Sequence, residues 1–340
     1  MQTRSPFGIA LIGSGSALPD GILDNLALEQ LVETSDEWIA TRTGIRQRRL
    51  AQPQESLTPL AAKAAQRALA MADLQAVDLD LILLATSTPD DLFGSAGAIQ
   101  GAIGASHAVA MDLTAACSGF AFGLVTAAQF LRSGVYRNVL LIGADVLSRW
   151  VNWSDRGTCI LFGDGAGAVV LQAIDLQEHP TASDALLGFE LRSDGSMNHV
   201  LNLAGETIEQ PLKNGTVVGQ GNFQPITMNG QEVYRFAVKR VPEAIEKALH
   251  RAERSIEQVD WLLLHQANQR IIDAVADRLG LPHEKTISNL ERYGNTSAAS
   301  IPIALDEAVR DGRIHPGQTL ALAGFGAGLS WGAVIVRWGR

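Results

Sequence analysis

The sequence predicts an α/β protein built from two duplicated halves, and three internal matches carry that prediction. Residues 117–134 and 295–312 overlay without a gap, at the same offset of 178 from Cys117 to Asn295 and from Gly134 to Gly312. Each stretch starts on a reactive or polar side chain after a turn, runs into an apolar-periodic helix and ends on glycine. Residues 64–86 likewise resemble 244–266: an amphipathic helix, a polar connection, then an apolar run suited to a buried strand. Matching Asp80 to Asp260 places His265 at the C-terminal end of the second of these strands, opposite Ala85. Third, 137–145 and 317–325 read as strands directly after the paired helices, and G-A-V-V-L (167–171) and G-A-V-I-V (332–336) close the halves. Such alternation implies mostly parallel sheets covered on both faces. The halves, 1–172 and 173–340, are expected to pack through a shared helical layer. Residues 175–232, rich in Gly, Asn, Thr and Asp, read as the connection plus a less regular insertion and a hairpin.

Composition fits this picture and narrows the function. The 340 residues are 46% apolar with 33 glycines and few aromatics, which suits closely packed helices and strands rather than disorder. A formal charge of −9 argues against a general nucleic-acid binder, although an acidic partner can still dock on a local basic patch. The two cysteines give no disulfide framework and no zinc spacing, and no two histidines share metal-ligand spacing. The first residues lack a signal-peptide core, and no segment reaches the roughly 20 apolar residues of a membrane helix. The expected compartment is the cytoplasm.

Three side chains stand out chemically. Cys117, in A-M-D-L-T-A-A-C-S-G-F, follows a strand at 108–113 and opens a helix, where the macrodipole and unpaired amides favour a thiolate. Its small neighbours Ala115, Ala116 and Gly119 leave room for an acyl group. Cys159, in T-C-I-L-F, reads as a core thiol. His265 ends W-L-L-L-H; a histidine there is often structural, but strand ends of open α/β sheets are where ligands bind. Asn295, in Y-G-N-T-S-A-A-S, reads either as a helix N-cap or as a neutral donor to a thioester oxygen, and the duplication favours the second by pairing it with Cys117. F-G-D-G-A-G (162–167) leads into a strand rather than a helix, which weakens a phosphate-loop reading. F-G-A-G-L-S-W-G (325–332) follows a strand and could bring a backbone amide close to Cys117.

With these residues in view the chain resembles the β-ketoacyl-acyl-carrier-protein synthase III family of the thiolase-like superfamily. The resemblance covers nearly the whole chain: T-S-D-E-W-I-A-T-R-T-G-I (34–45), A-A-C-S-G-F, D-R-G-T (155–158), F-G-D-G-A-G, H-Q-A-N-Q-R-I, G-N-T-S-A-A-S-I-P and G-F-G-A-G. It implies a thiolase-like five-layer α-β-α-β-α sandwich, a homodimer, and condensation of acetyl-CoA with malonyl-acyl carrier protein (ACP) to acetoacetyl-ACP, CO2 and CoA. No resident cofactor is implied, because acetyl-CoA and malonyl-ACP are substrates. By position, Cys117 becomes the acylated nucleophile, His265 and Asn295 promote decarboxylation, and the amides of Cys117 and Ala327 form the oxyanion hole. Trp38 and Arg156 are implied to flank the CoA adenine, with Arg42 near its phosphates and Asn268 near the pantetheine arm. Gln266, Arg270 and Arg235 match carrier-protein positions, with Lys239 and Arg240 nearby. Phe93 and Phe325 match the acyl pocket, Phe93 as the residue that reaches into the partner's. One departure concerns Asp277-Arg278, where some bacterial members carry paired basic residues.

Other readings attach to the same residues. Singly, Trp38 reads as a helix-packing aromatic, Arg42 and Arg270 as solvated charges, and Phe93 as core. A Cys–His–Asn set also suits a papain-like hydrolase, but the Ala/Gly-rich surround of Cys117 and the duplication are features a protease does not need. A polyketide starter synthase is closer. Asn295 opposes a degradative thiolase, which requires a second base, and a non-enzymatic binding module would need none of the three reactive side chains.

Overall fold

The computed structural model describes residues 5–179 and 183–339. The first half contributes β1 (Phe7–Ala17), β2 (Leu81–Ala85), β3 (Val109–Leu113), β4 (Asn138–Val146) and β5 (Asp164–Asp175). The second contributes β6 (Leu186–Ser193), β7 (Trp261–Leu264), β8 (Thr286–Ile287), β9 (Thr319–Gly326) and β10 (Ser330–Arg337). Their orders are the same, β1-β5-β4-β2-β3 and β6-β10-β9-β7-β8. The directions also repeat: the first two neighbour pairs in each sheet are antiparallel and the last two parallel. Three helices per half match in turn: α1 (Leu57–Ala72), α2 (Ala96–Ile103) and α3 (Gly119–Arg132) with α4 (Gly230–Arg251), α5 (Gln269–Leu279) and α6 (Ser300–Arg310). β5 runs on to Asp175, so a division after residue 172 would cut through it.

Alternating side chains build the layers. Leu81, Leu83, Val139 and Leu141 of the first sheet, and Leu263, Leu320 and Leu322 of the second, face a common interior with α3 and α6. Their neighbours Ile82, Leu84, Leu140 and Ile142 face α1 and α2, while Leu262, Leu264, Ala321 and Ala323 face α4 and α5. Period-2 strands buried on both faces therefore give five layers, α-β-α-β-α, as expected. Residues 205–211 and 217–223 form the hairpin of the insertion. Among the described residues no helix is long and apolar enough to cross a membrane.

The repeat is true at the helix ends and slips at their starts. Gly134 and Gly312 keep the 178 offset, with φ of 76° and 77°. The 3-10 turns before α3 and α6, Ala116–Ser118 and Ser297–Ala299, instead match at 181, as do their left-handed residues Ala116 (φ 47°) and Ser297 (φ 51°). The turn-for-turn counterpart of Cys117 is thus Ala298, not Asn295. α6 is shorter than α3 by about one helical turn, and the missing residues appear in the loop before it, where Asn295 lies.

Candidate active site

Cys117, His265 and Asn295 arrive from three loops at the C-terminal ends of the strands, where ligands gather in sheets of this kind. Cys117 sits in the turn between β3 and α3. His265 follows β7 directly, its amide donating to the Ala323 carbonyl at 2.8 Å. Asn295 is held by the F-G-D-G-A-G stretch: its amide donates to the Leu161 carbonyl at 2.8 Å, and the Gly163 amide donates to the Asn295 carbonyl at 2.9 Å. A Cβ on Gly163 would stand 2.2 Å from the Tyr293 carbonyl oxygen. That glycine stretch is a splint between the halves, not a phosphate loop.

All three residues line one cavity of about 840 Å³, together with Arg42, Arg235 and Arg270. Cys117 also lines a second, apolar cavity of about 510 Å³ walled by Leu147, Trp150, Leu203, Phe223 and Ile226. The thiol therefore stands in the partition between a more polar, arginine-lined approach and an apolar pocket. Part of that pocket's wall comes from the irregular 147–150 turn and the insertion, which carry no periodic pattern. Phe325 lies instead in the polar cavity, edge-on to the His265 ring at 5.3 Å, because β9 runs beneath the histidine. Phe93 is 98% exposed and lines neither cavity in the single chain.

The electrostatics correct one expectation. Burial pushes the Cys117 thiol up to about 12; a hydrogen bond from Ser297 opposes this, and the charge of Asp145 reinforces it. The helix start does not outweigh desolvation here, so the resting thiol is neutral. Burial likewise holds His265 down at about 3, only partly offset by the Ser297 backbone, so its ring is neutral at physiological pH. Its Nδ1 lies 2.8 Å from Ser300 Oγ. Asn295 Oδ1 accepts from the Ser297 amide at 2.9 Å, bracing the 3-10 turn from one residue outside its N-cap, Thr296. Among the described residues its NH2 group has no partner and is left as a donor on the cavity wall.

The pairing of strands explains why one turn amide is free. With Asp80 matched to Asp260, the ladders β2–β4 and β7–β9 make Asp145 the counterpart of Gly326. In one half, Asp145 Oδ2 accepts from the Ala298 amide at 3.2 Å. In the other, Gly326 abuts the Cys117 amide so closely that an added Cβ would lie 2.7 Å from that nitrogen, and no acceptor reaches it among the described residues. Ala327, the next residue, lines the apolar cavity beside Cys117.

At the cavity mouth, Arg42 and Arg156 lie over the Trp38 ring at 4.6 and 4.8 Å from its centroid. Asn268 caps α5 by accepting from the Arg270 amide at 2.9 Å and donates to the Arg42 carbonyl at 3.0 Å. Arg270 and Arg235 are exposed, Arg270 over the Tyr234 ring at 5.5 Å. Gln266 does not belong to that surface. It is fully buried, donating to the Leu264 carbonyl and accepting from Ser288 and the Asn289 amide, so it ties loop backbone together. The sequence reading passed over Ser297, Asp145 and Ser300. Ser297 lay in plain sight, two positions past Asn295, and Asp145 was visible as an acid at the end of an apolar strand.

Comparison with known proteins agrees with this geometry. Residues 111–195 match the family 3-oxoacyl-[acyl-carrier-protein] synthase III, and residues 249–338 match its C-terminal family. The β-ketoacyl-[acyl-carrier-protein] synthase III of Nostoc sp. is 66% identical over 333 residues, covering 98% of this chain and 99% of that protein. The crystal structure of 3-oxoacyl-[acyl-carrier-protein] synthase III from Aquifex aeolicus superposes with a TM-score of 0.87 at 42% identity, covering 97% of this chain and all of that one. A priming β-ketosynthase of the R1128 polyketide pathway superposes at 0.88 with 32% identity, covering 100% of this chain and 99% of that one. A buried thiol between two cavities, the repeated sheets and full-length identity at this level lead to one assignment: the chain belongs to the β-ketoacyl-acyl-carrier-protein synthase III family of acyltransferases.

Proposed function

We propose that Cys117, His265 and Asn295 divide the initiating condensation of type II fatty-acid synthesis between them. In that reaction acetyl-CoA and malonyl-ACP give acetoacetyl-ACP, CO2 and CoA. The observation that carries the division is the place of Cys117 in the partition of the two cavities. The apolar side suits a short acyl chain, and the polar side brings a thioester carbonyl to neutral donors. Cys117 attacks the acetyl thioester, the free Cys117 amide and the Ala327 amide hold the oxyanion, and CoA leaves. Malonyl-ACP then enters the polar cavity. With the Ser300 hydroxyl donating to Nδ1, His265 carries its proton on Nε2 and donates it to the malonyl thioester oxygen beside the Asn295 NH2. The enolate formed as CO2 departs attacks acetyl-Cys117. Two neutral donors suit this step, since neither repels a malonate carboxylate.

The exposed arginines at the mouth extend the proposal to the partners. Trp38 with Arg42 and Arg156 offers an aromatic and cationic platform for the CoA nucleotide, and Asn268 lies where the pantetheine arm must pass. Arg235 and Arg270 receive the acidic carrier protein. Asp277, which departs from the basic pair of some relatives, is itself paired with His283 at 2.8 Å, and Arg278 is engaged by Glu243. That edge therefore contributes little net attraction. We place the protein in the cytoplasm as a homodimer, the halves being divided within the 176–185 connection. β3 is an edge strand with Val109 and Met111 exposed, and the adjacent loop presents Leu92 and Phe93. An uncovered apolar edge calls for a second copy, related by a two-fold axis.

The test is intact-protein mass spectrometry. Incubation with acetyl-CoA should add one acetyl group, mapped to Cys117, and malonyl-ACP should discharge it into acetoacetyl-ACP. Acetyl groups lost to water instead would identify a hydrolase. A panel of acyl-CoA primers would place the chain relative to polyketide starter synthases.

A further inference from the structure

We propose that Arg48 is a positioning residue for Asn295: its guanidinium fork pins the backbone clamp that aims the asparagine NH2 group at the malonyl thioester. The inference rests on Asn295 being the donor for decarboxylation. Arg48 belongs to the short strand Gln47–Arg49, which pairs with Ile22–Asp24 and lies outside both five-stranded sheets. Its side chain is completely buried. Nη1 donates to Asn25 Oδ1 at 2.8 Å and to the Leu23 carbonyl at 3.2 Å, and Nη2 donates to the Ile160 carbonyl at 2.6 Å. The residue after Ile160 is Leu161, whose carbonyl takes the Asn295 amide.

The stem of the arginine meets the same clamp. Its Cβ is 3.2 Å from where a methyl on Gly163 would stand and 3.3 Å from the same point on Gly294. The Gly163 amide donates to the Asn295 carbonyl, and Gly294 is the residue before Asn295. Stem and fork together therefore bear on the backbone at both sides of the asparagine. The guanidinium is itself braced: Asn25 is buried, and its NH2 group donates to Asp36 Oδ1 and to the Ile45 carbonyl, each at 2.8 Å. Just before the strand, the Arg46 amide donates at 3.0 Å to the carbonyl of Glu291, in the helical turn that leads to Asn295. Arg48 thus joins two fixed segments, 22–25 and 160–163, that are far apart in the sequence.

Stability alone is a poor reason for this residue. All three acceptors are neutral, two carbonyls and an amide oxygen, and Nε has no partner among the described residues. Burial holds the guanidinium down to about 10, against the pull of Cys159 and Asp24, so it stays charged at physiological pH and keeps its donors. A buried cation without a paired carboxylate costs more than an apolar side chain of the same shape. What arginine adds is a rigid planar fork, which fixes the separation of the two segments it bonds. It also satisfies the carbonyl of Ile160, the residue that ends the turn Arg156–Cys159. The turn that carries Cys117 makes no hydrogen bond to Arg48 or to residues 160–163 among the described residues, so the arginine bears on one half-reaction.

The experiment measures the two half-reactions separately, acetyl transfer to Cys117 by intact mass at saturating acetyl-CoA and CO2 release from malonyl-ACP. The proteins are wild type, Arg48→Met, Arg48→Lys, Asn295→Ala and the Arg48→Lys, Asn295→Ala double variant. Arg48→Met keeps the stem and removes the fork; it should slow decarboxylation about a hundredfold and leave acetyl transfer near the wild-type rate. Arg48→Lys keeps the charge but cannot span both segments, and should slow decarboxylation about tenfold. It decides the matter where the methionine variant does not fold. Added to Asn295→Ala, Arg48→Lys should slow decarboxylation no further, because no donor is left to position. Wild-type decarboxylation in Arg48→Lys or in folded Arg48→Met would overturn the proposal. So would equal loss of both half-reactions, or losses that multiply in the double variant. Undiminished decarboxylation in Asn295→Ala would overturn the underlying reading instead.

Discussion

Gly163→Ala tests whether the splint between the halves sets the condensation geometry. Alanine meets no backbone penalty there, because Gly163 is not in the left-handed region, so the effect is purely one of space. The new methyl carbon would lie 2.2 Å from the Tyr293 carbonyl oxygen, with Arg48 Cβ at 3.2 Å on another side. A comfortable C···O approach is about 3.3 Å, so the tyrosine carbonyl must retreat by roughly 1 Å. Asn295 is two residues further on and is clamped to both Leu161 and Gly163, so it moves too. A displacement of that size at a catalytic donor costs about a hundredfold in rate, while overpacking itself costs about 1–3 kcal/mol of stability. Cys117 sits in the turn between β3 and α3, whose backbone is bonded to neither Tyr293 nor Asn295, and is not carried along. The expected result is therefore acetyl-Cys117 formation near the wild-type rate, with decarboxylation of malonyl-ACP slowed about a hundredfold. Both half-reactions are read on one sample, by intact mass and by CO2 release. Wild-type decarboxylation in a folded Gly163→Ala protein would refute the reasoning, and so would equal loss of the two half-reactions.

Asn295→Ala should keep acyl transfer to Cys117 and lose condensation by about a hundredfold, the worth of one such donor; abolition of both steps in a folded protein would remove the division of roles. Arg270→Glu should raise KM for malonyl-ACP and leave acetyl-CoA loading unchanged, and equal effects on both substrates would count against a carrier-specific role. His265 gives a stability prediction. Its folded value of about 3 lies below the ordinary 6.5, so the unfolded chain takes up the extra proton first as pH falls. Its contribution is complete above 6.5 and is lost between 6.5 and about 3, at ~1.4 kcal/mol per pH unit. The stability gap between wild type and His265→Phe in urea unfolding should shift by that slope over this window, and a constant gap would contradict it.

The fold was legible because duplication leaves a periodic trace. Asp80 and Asp260, read as equivalent, both accept the amide at the start of the neighbouring strand, Asn138 and Thr319 respectively. The local motifs also survived: Cys117, His265 and Asn295 do line one cavity. What the sequence concealed depends on packing between distant segments. A gapless overlay cannot register a helix shortened by a turn and a loop lengthened to match, which is why Asn295 stood opposite Cys117. Gln266 looked available in H-Q-A-N-Q-R, yet the end of β7 turns it inward to satisfy loop backbone. The thiol of Cys117 was judged by its helix, whereas its burial comes from both halves at once. Part of the apolar cavity's wall came from the insertion and a 3-10 turn, segments without a pattern to read.

The slip in the repeat also explains how a symmetric frame can run an asymmetric reaction. Two equivalent turns precede α3 and α6, and each presents an amide to the strand of the opposing sheet position. Opposite Ala298 that position is Asp145, which consumes the amide and fixes the turn. Opposite Cys117 it is Gly326, which has no side chain and leaves the amide open. One turn is thereby locked by a carboxyl group, the other left free. The proposed oxyanion fits beside the free amide, since a carboxyl group in Asp145's position there would occupy the donor. A single difference between paired positions, Asp against Gly, thus leaves one turn amide occupied and the other open beside the thiol.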